Sequence, residues 1–121
     1  MKVLVIEDNA QNRYLVRCLL EHQSCEVHET DYGRTGMEMA KALKPDLILL
    51  DLELPSMNGY ELVSMLNNDP ETGSIPIIAV TAHAMSGDRE KILRIGCSGY
   101  IQKPIDPQTF VKELEAYMPC A

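Results

Sequence analysis

Asp46-Leu47-Ile48-Leu49-Leu50-Asp51-Leu52-Glu53-Leu54-Pro55-Ser56-Met57-Asn58-Gly59 is the stretch that decides the fold. Leu47 to Leu50 run apolar without a break and stop at a carboxylate. A short continuous apolar run reads as a strand buried on both faces of a parallel sheet. Val3-Ile6 and Ile77-Val80 have the same character. Two further strand candidates, Cys25-Thr30 and Gly99-Lys103, are more polar; in the first, Val27 sits among Glu26, His28 and Glu29. Polar strands are tolerated at sheet edges, where one flank meets water. Three strands therefore belong at the centre and two at the edges.

Helical spacing fills the gaps. Leu15, Val16, Leu19 and Leu20 share one face, as do Met37, Ala40 and Leu43, and then Leu62, Val63 and Leu66. Ile92 and Leu93 give a weaker fourth stripe. Phe110, Val111, Leu114, Tyr117 and Met118 give the fifth, with Asp106 placed as N-cap and Pro107 as first helical residue. Strand and helix thus alternate five times. Right-handed crossovers then predict a doubly wound α/β fold with a five-stranded parallel sheet in the order 2-1-3-4-5, the flavodoxin-like arrangement.

Bulk properties narrow the function. With 121 residues, 45% hydrophobic and 24% charged, the chain has the make-up of one ordinary globular domain. Its formal charge of −7, from 18 acidic and 11 basic residues, leaves no basic stripe for nucleic acid. No apolar run approaches the ~20 residues that span a bilayer. Met1-Lys2-Val3-Leu4-Val5-Ile6 is cut short by Glu7-Asp8 and reads as a strand, not an export signal. Cys18, Cys25, Cys97 and Cys120 lack C-x-x-C spacing and read as reduced thiols of a cytoplasmic protein. The seven methionines read as core or helix filler.

The chemistry falls at strand ends. In an open parallel sheet, ligands bind outside the carboxyl ends of the strands where the winding reverses, here between the first and third. Strand one ends in Glu7-Asp8, strand three in Asp51, strand four in Thr81 and strand five in Lys103. Carboxylates gathered in one crevice repel each other unless a cation or a proton intervenes. A hard divalent ion, Mg²⁺ or Mn²⁺, suits oxygen ligands of this kind. A carboxylate beside it can accept a phosphoryl group, with an ammonium and a hydroxyl for the phosphoryl oxygens. Taken alone, Asp51 could be a turn or capping aspartate; Glu7, Asp8, Thr81 and Lys103 argue for chemistry.

Four segments together carry a family likeness: Val3-Leu4-Val5-Ile6-Glu7-Asp8-Asn9, Asp46 through Gly59, Pro76-Ile77-Ile78-Ala79-Val80-Thr81-Ala82 and Gly99-Tyr100-Ile101-Gln102-Lys103-Pro104. Each is weak, but all four in order at strand ends are specific. The chain resembles bacterial two-component response-regulator receiver domains over essentially its whole length. Ala82-His83-Ala84-Met85-Ser86-Gly87-Asp88 looks like the stand-alone DivK-type regulators and the receivers of hybrid kinases.

The resemblance implies phosphorylation on Asp51. It implies a metal held by Asp8, by Glu7 partly through water, by Asp51 and by the backbone carbonyl of Glu53. Lys103 would bind the phosphoryl group, and its peptide bond to Pro104 would be cis. Thr81 and Tyr100 would form the switch, and Ala82 would be small beside the acyl phosphate. Glu7 stands where aspartate is commoner. Glu53 and His83 occupy positions that tune acyl-phosphate lifetime, although His83 reads more simply as a surface residue, and Tyr100 could be amphipathic cover for an edge strand.

A sensor histidine kinase or histidine phosphotransfer protein would donate. A downstream protein would bind the face made by the fourth helix, fifth strand and fifth helix. The implied protein is a self-modifying phosphoacceptor in a phosphorelay, with Mg²⁺-dependent phosphorylation and autodephosphorylation, not an enzyme. It is expected to be a monomer, with phosphorylation-linked dimerisation left open. Because the chain stops soon after the fifth helix, the expectation is one receiver domain over residues 1–121 without an output domain. Asp88, Arg89, Glu90, Lys91 and Arg94 read as a solvated helix face. Two other readings compete. A flavodoxin-like electron carrier would need a Ser/Thr/Gly-rich phosphate loop where Glu7-Asp8-Asn9 stands. A pseudo-receiver scaffold would have no need of the intact acidic set.

Overall fold

A computed structural model describes residues 1–82 and 86–117. Five strands alternate with five helices: β1 (Lys2–Ile6), α1 (Ala10–His22), β2 (Glu26–Thr30), α2 (Gly33–Leu43), β3 (Leu47–Asp51), α3 (Gly59–Asn68), β4 (Ile77–Thr81), α4 (Ser86–Arg94), β5 (Gly99–Gln102) and α5 (Phe110–Glu115). All strand pairs are parallel, in the order β2-β1-β3-β4-β5. The expected flavodoxin-like sheet is the observed one.

Side chains alternate across the three central strands, and each face has its own core. Leu4, Ile6, Ile48, Leu50, Ile77 and Ala79 pack with Ala40, Leu62, Val63, Leu66 and Ile92 from α2, α3 and α4. On the other face Val3, Val5, Leu47, Leu49, Ile78 and Val80 pack with Val16, Leu20, Phe110 and Leu114 from α1 and α5. β2 keeps no fully buried residue, as an edge strand should. Gly59 opens α3 because a Cβ there would overlap the backbone of Leu52.

Two expectations at helices need correction. α5 begins at Phe110, not Pro107. The Asp106 carboxylate accepts the Gln108 N–H at 2.9 Å, and its carbonyl accepts those of Thr109 and Phe110 at 3.1 and 2.8 Å. Asp106 thus closes a turn, and regular helix starts only after it. On α4, Ile92 is buried but Leu93 is 49% exposed. Adjacent helical residues lie about 100° apart, so this short helix offers the core one of the pair. Met118 and Cys120 lie outside the described residues, as does His83. Cys18, Cys25 and Cys97 are free thiols. Among the described residues no helix is long and apolar enough to cross a membrane.

Candidate functional site

Strand register builds the site. Ile6 lies opposite Leu50, so Glu7 and Asp51 follow side by side at the same rim. Thr81 ends β4 opposite Gln102, and Lys103 comes next, its N–H donating to the Thr81 carbonyl at 2.8 Å. Carboxylate oxygens of Glu7, Asp8 and Asp51 lie within 4.8 Å of one another. Glu7 and Asp51 are buried while Asp8 is exposed, so the cluster opens to solvent on one side. Three such carboxylates with oxygen donors could hold a hard divalent cation.

Lys103 bridges the two buried acids. Its Nζ lies 3.1 Å from Glu7 Oε1 and 3.1 Å from Asp51 Oδ2. Asp51, only 1% exposed, uses its oxygens differently. Oδ1 accepts the Glu53 N–H at 2.9 Å, which fixes the plane of the carboxylate. Oδ2 faces the Lys103 ammonium without an aligned hydrogen bond. A buried anionic oxygen left in that state is costly, and a cation or an electrophile would relieve it. Burial works to lower the Lys103 pKa, but the charges of Glu7 and Asp51 outweigh it and the net shift is upward. Lys103 therefore stays charged. The Lys103-Pro104 peptide is cis.

Burial, and then the neighbouring Asp51 carboxylate, push the Glu7 carboxyl up to about 7. Lys103 and the Asn9 N–H, which donates to Glu7 Oε2 at 3.1 Å, only partly oppose this. The folded protein thus holds this proton more tightly than the unfolded chain, whose ordinary value is 4.5. The resulting stabilisation is complete below that value and is lost as pH rises through the folded one. Metal-free protein is accordingly expected to lose up to about 3 kcal/mol of stability between the two values. Urea denaturation in chelator across that window checks this, and Glu7→Gln should flatten the profile.

Two features of the site lay outside the sequence reading. Arg13 Nη1 donates to the Glu7 and Asp8 carbonyls at 2.8 and 3.0 Å, pinning the acidic loop from α1. A signal for it existed. Asn9 caps α1, accepting the Asn12 N–H at 2.9 Å, so Arg13 falls near the positive end of the helix dipole, where a cation needs a compensating acceptor. The second feature lies on the solvated face of α4, where Arg89, Glu90, Lys91 and Arg94 are exposed. Arg89 lies over the ring of Tyr100 at 5.3 Å, and Lys91 over that of Tyr60 at 4.3 Å. Tyr100 itself is half-buried on β5.

Thr81 is buried, and its hydroxyl donates to Glu53 Oε1 at 3.0 Å. The Ala82 N–H donates to the same oxygen at 2.9 Å. Glu53, expected to give its backbone carbonyl to the metal and to set a negative side chain near the phosphoryl group, projects that side chain across to the end of β4.

A family model described as the response regulator receiver domain matches residues 3–115. The polar-differentiation response regulator DivK of Brucella anthropi is 41% identical over 116 residues, covering 96% of this chain and 94% of that protein. Among solved structures, the chemotaxis response regulator CheY4 of Vibrio cholerae aligns with a TM-score of 0.91 at 26% identity, over 97% of this chain and 98% of its own. The receiver domain of the sensor histidine kinase PA1611 from Pseudomonas aeruginosa, with a magnesium ion coordinated in its active-site cleft, aligns at 0.85 and 29% identity, over 96% and 95%.

Proposed function

The chain belongs to the response regulator receiver family, and from that premise we propose that it is a phosphorylation-controlled binding switch whose acceptor is Asp51. The observation that carries this reading is Asp51 Oδ2: buried, anionic, unaligned with any donor among the described residues, and facing Lys103 amid convergent carboxylates.

Asp51 Oδ2 would attack the phosphorus of a phosphohistidine on a sensor histidine kinase or phosphotransfer protein. A P–O bond forms as the P–N bond breaks, and the electron pair leaves with the imidazole. The Glu53 N–H holds the other carboxylate oxygen and so aims the attack. Lys103 Nζ then has a phosphoryl oxygen to bind, and the Thr81 hydroxyl another. Asp8, Asp51 and the Glu53 carbonyl, with Glu7 through water, would hold Mg²⁺ or Mn²⁺, which supplies charge neutralisation when bound. The magnesium coordinated in the active-site cleft of the PA1611 receiver supports a divalent metal at this rim. Thr81 moving to the phosphoryl oxygen would free space for Tyr100, and the surface of α4, β5 and α5 would present the change to a downstream protein.

In this reading residues 1–121 act as one receiver unit. The protein modifies itself and turns over no separate substrate, and it works in the cytoplasm, where its free thiols stay reduced. Intact-mass spectrometry after incubation with Mg²⁺ and acetyl phosphate tests it. One added phosphate, absent in chelator, is expected; an unchanged mass with metal and donor present contradicts the proposal.

A further inference from the structure

Glu53 is exposed, yet its carboxylate spans back to the sheet. Oε1 accepts both the Thr81 hydroxyl and the Ala82 N–H. The Thr81 hydroxyl is the donor assigned above to the phosphoryl group, and the Ala82 amide adjoins it at the same rim. Each donor carries one hydrogen, so neither can fully serve two anionic oxygens at once. Carboxylate and phosphoryl oxygens are chemically alike as acceptors of such bonds.

We propose that the Glu53 carboxylate is an internal surrogate for a phosphoryl oxygen. It occupies the Thr81 hydroxyl and the Ala82 N–H in the resting protein, and it must be displaced before they can turn to the phosphoryl group. This rests on Asp51 being the acceptor. The arrangement depends on reach. The Glu53 backbone is tied to Asp51 Oδ1, so its side chain must cross from the end of β3 to the end of β4. An aspartate, one methylene shorter, would keep the charge near the site but fall short of the donors. Glu53 therefore sets a threshold: the incoming group has to outcompete an anion already in place. Both bonds are charge-assisted, but Glu53 and Ala82 are exposed, so the competition is expected to weaken phosphoryl binding by about three- to tenfold.

The test uses the full ¹⁵N-labelled chain as wild type, Glu53→Ala, Glu53→Asp and Glu53→Gln. In metal-free protein the Ala82 amide proton is followed by NMR. It should move upfield in the Ala and Asp variants as its carboxylate acceptor is lost. Beryllofluoride is then titrated in saturating Mg²⁺. Glu53→Ala and Glu53→Asp should both bind about three- to tenfold tighter than wild type, with Glu53→Gln, a neutral acceptor of full length, between them. A Glu53→Asp variant that binds as wild type would show that charge and not contact sets the affinity, overturning the proposal. An Ala82 amide unmoved in Glu53→Ala would overturn it without touching the acceptor assignment. Should no variant bind beryllofluoride while the amide still moves, the acceptor assignment fails and the competition falls with it.

Discussion

Asp51→Asn is expected to abolish phosphate incorporation from acetyl phosphate, a loss of at least about a thousandfold, because an amide offers no anionic nucleophile and only background reaction remains. The fold should survive. Asparagine keeps an Oδ1 to accept the Glu53 N–H, and its size fits the same buried space. Metal-free stability should rise by about 1–3 kcal/mol. Two buried carboxylates now share one ammonium, and the substitution leaves Glu7 and Lys103 as a balanced pair. The neighbouring Asp51 carboxylate also raises the Glu7 pKa, so the fall in stability with rising pH should flatten in the same variant. Mass spectrometry and urea denaturation read these outcomes separately. Phosphate retained on the variant would remove Asp51 from its assigned role.

Lys103→Met should separate two functions that one lysine now joins. The ammonium sits 3.1 Å from both Glu7 and Asp51, where it occupies the charge that a bound metal would otherwise neutralise. Removing it takes away a competitor, and Mg²⁺ affinity should rise by about tenfold. Phosphorylation should fall by about a hundredfold, since a preorganised donor to the transferring group is lost. Metal-free protein should be destabilised above neutral pH, where two buried carboxylates face each other without a counter-charge. Mg²⁺ titration by calorimetry and phosphorylation rates by mass spectrometry check the opposing signs. Metal binding and phosphorylation falling in parallel would mean that Lys103 acts only through the fold.

The fold was legible because the decisive signals are local. Leu47-Ile48-Leu49-Leu50, Val3-Ile6 and Ile77-Val80 are apolar on both faces, and only central strands need that. The polarity of Glu26, His28 and Glu29 placed β2 at an edge for the same reason. Strand-end residues could be read as neighbours because a parallel sheet delivers them to one rim, and Glu7, Asp8, Asp51 and Lys103 do meet there. What stayed hidden depends on side-chain reach. Glu53 touches Thr81 and Ala82 across nearly thirty residues of chain, through a path no periodicity encodes. Arg13 reaches back over a helix cap, and Arg89 and Lys91 look like ordinary surface charges until Tyr100 and Tyr60 are placed beneath them. The start of α5 was misplaced because an aspartate followed by proline serves a turn as readily as a helix cap.

Diffraction from crystals grown with Mn²⁺ and beryllofluoride, using anomalous scattering to locate the manganese, examines the central claim most directly. One metal is expected between Asp8, Asp51 and the Glu53 carbonyl, with beryllium bonded to Asp51 and with Lys103 and Thr81 on its fluorides. Manganese scattered over the acidic surface, or beryllium attached to any other carboxylate, would contradict it.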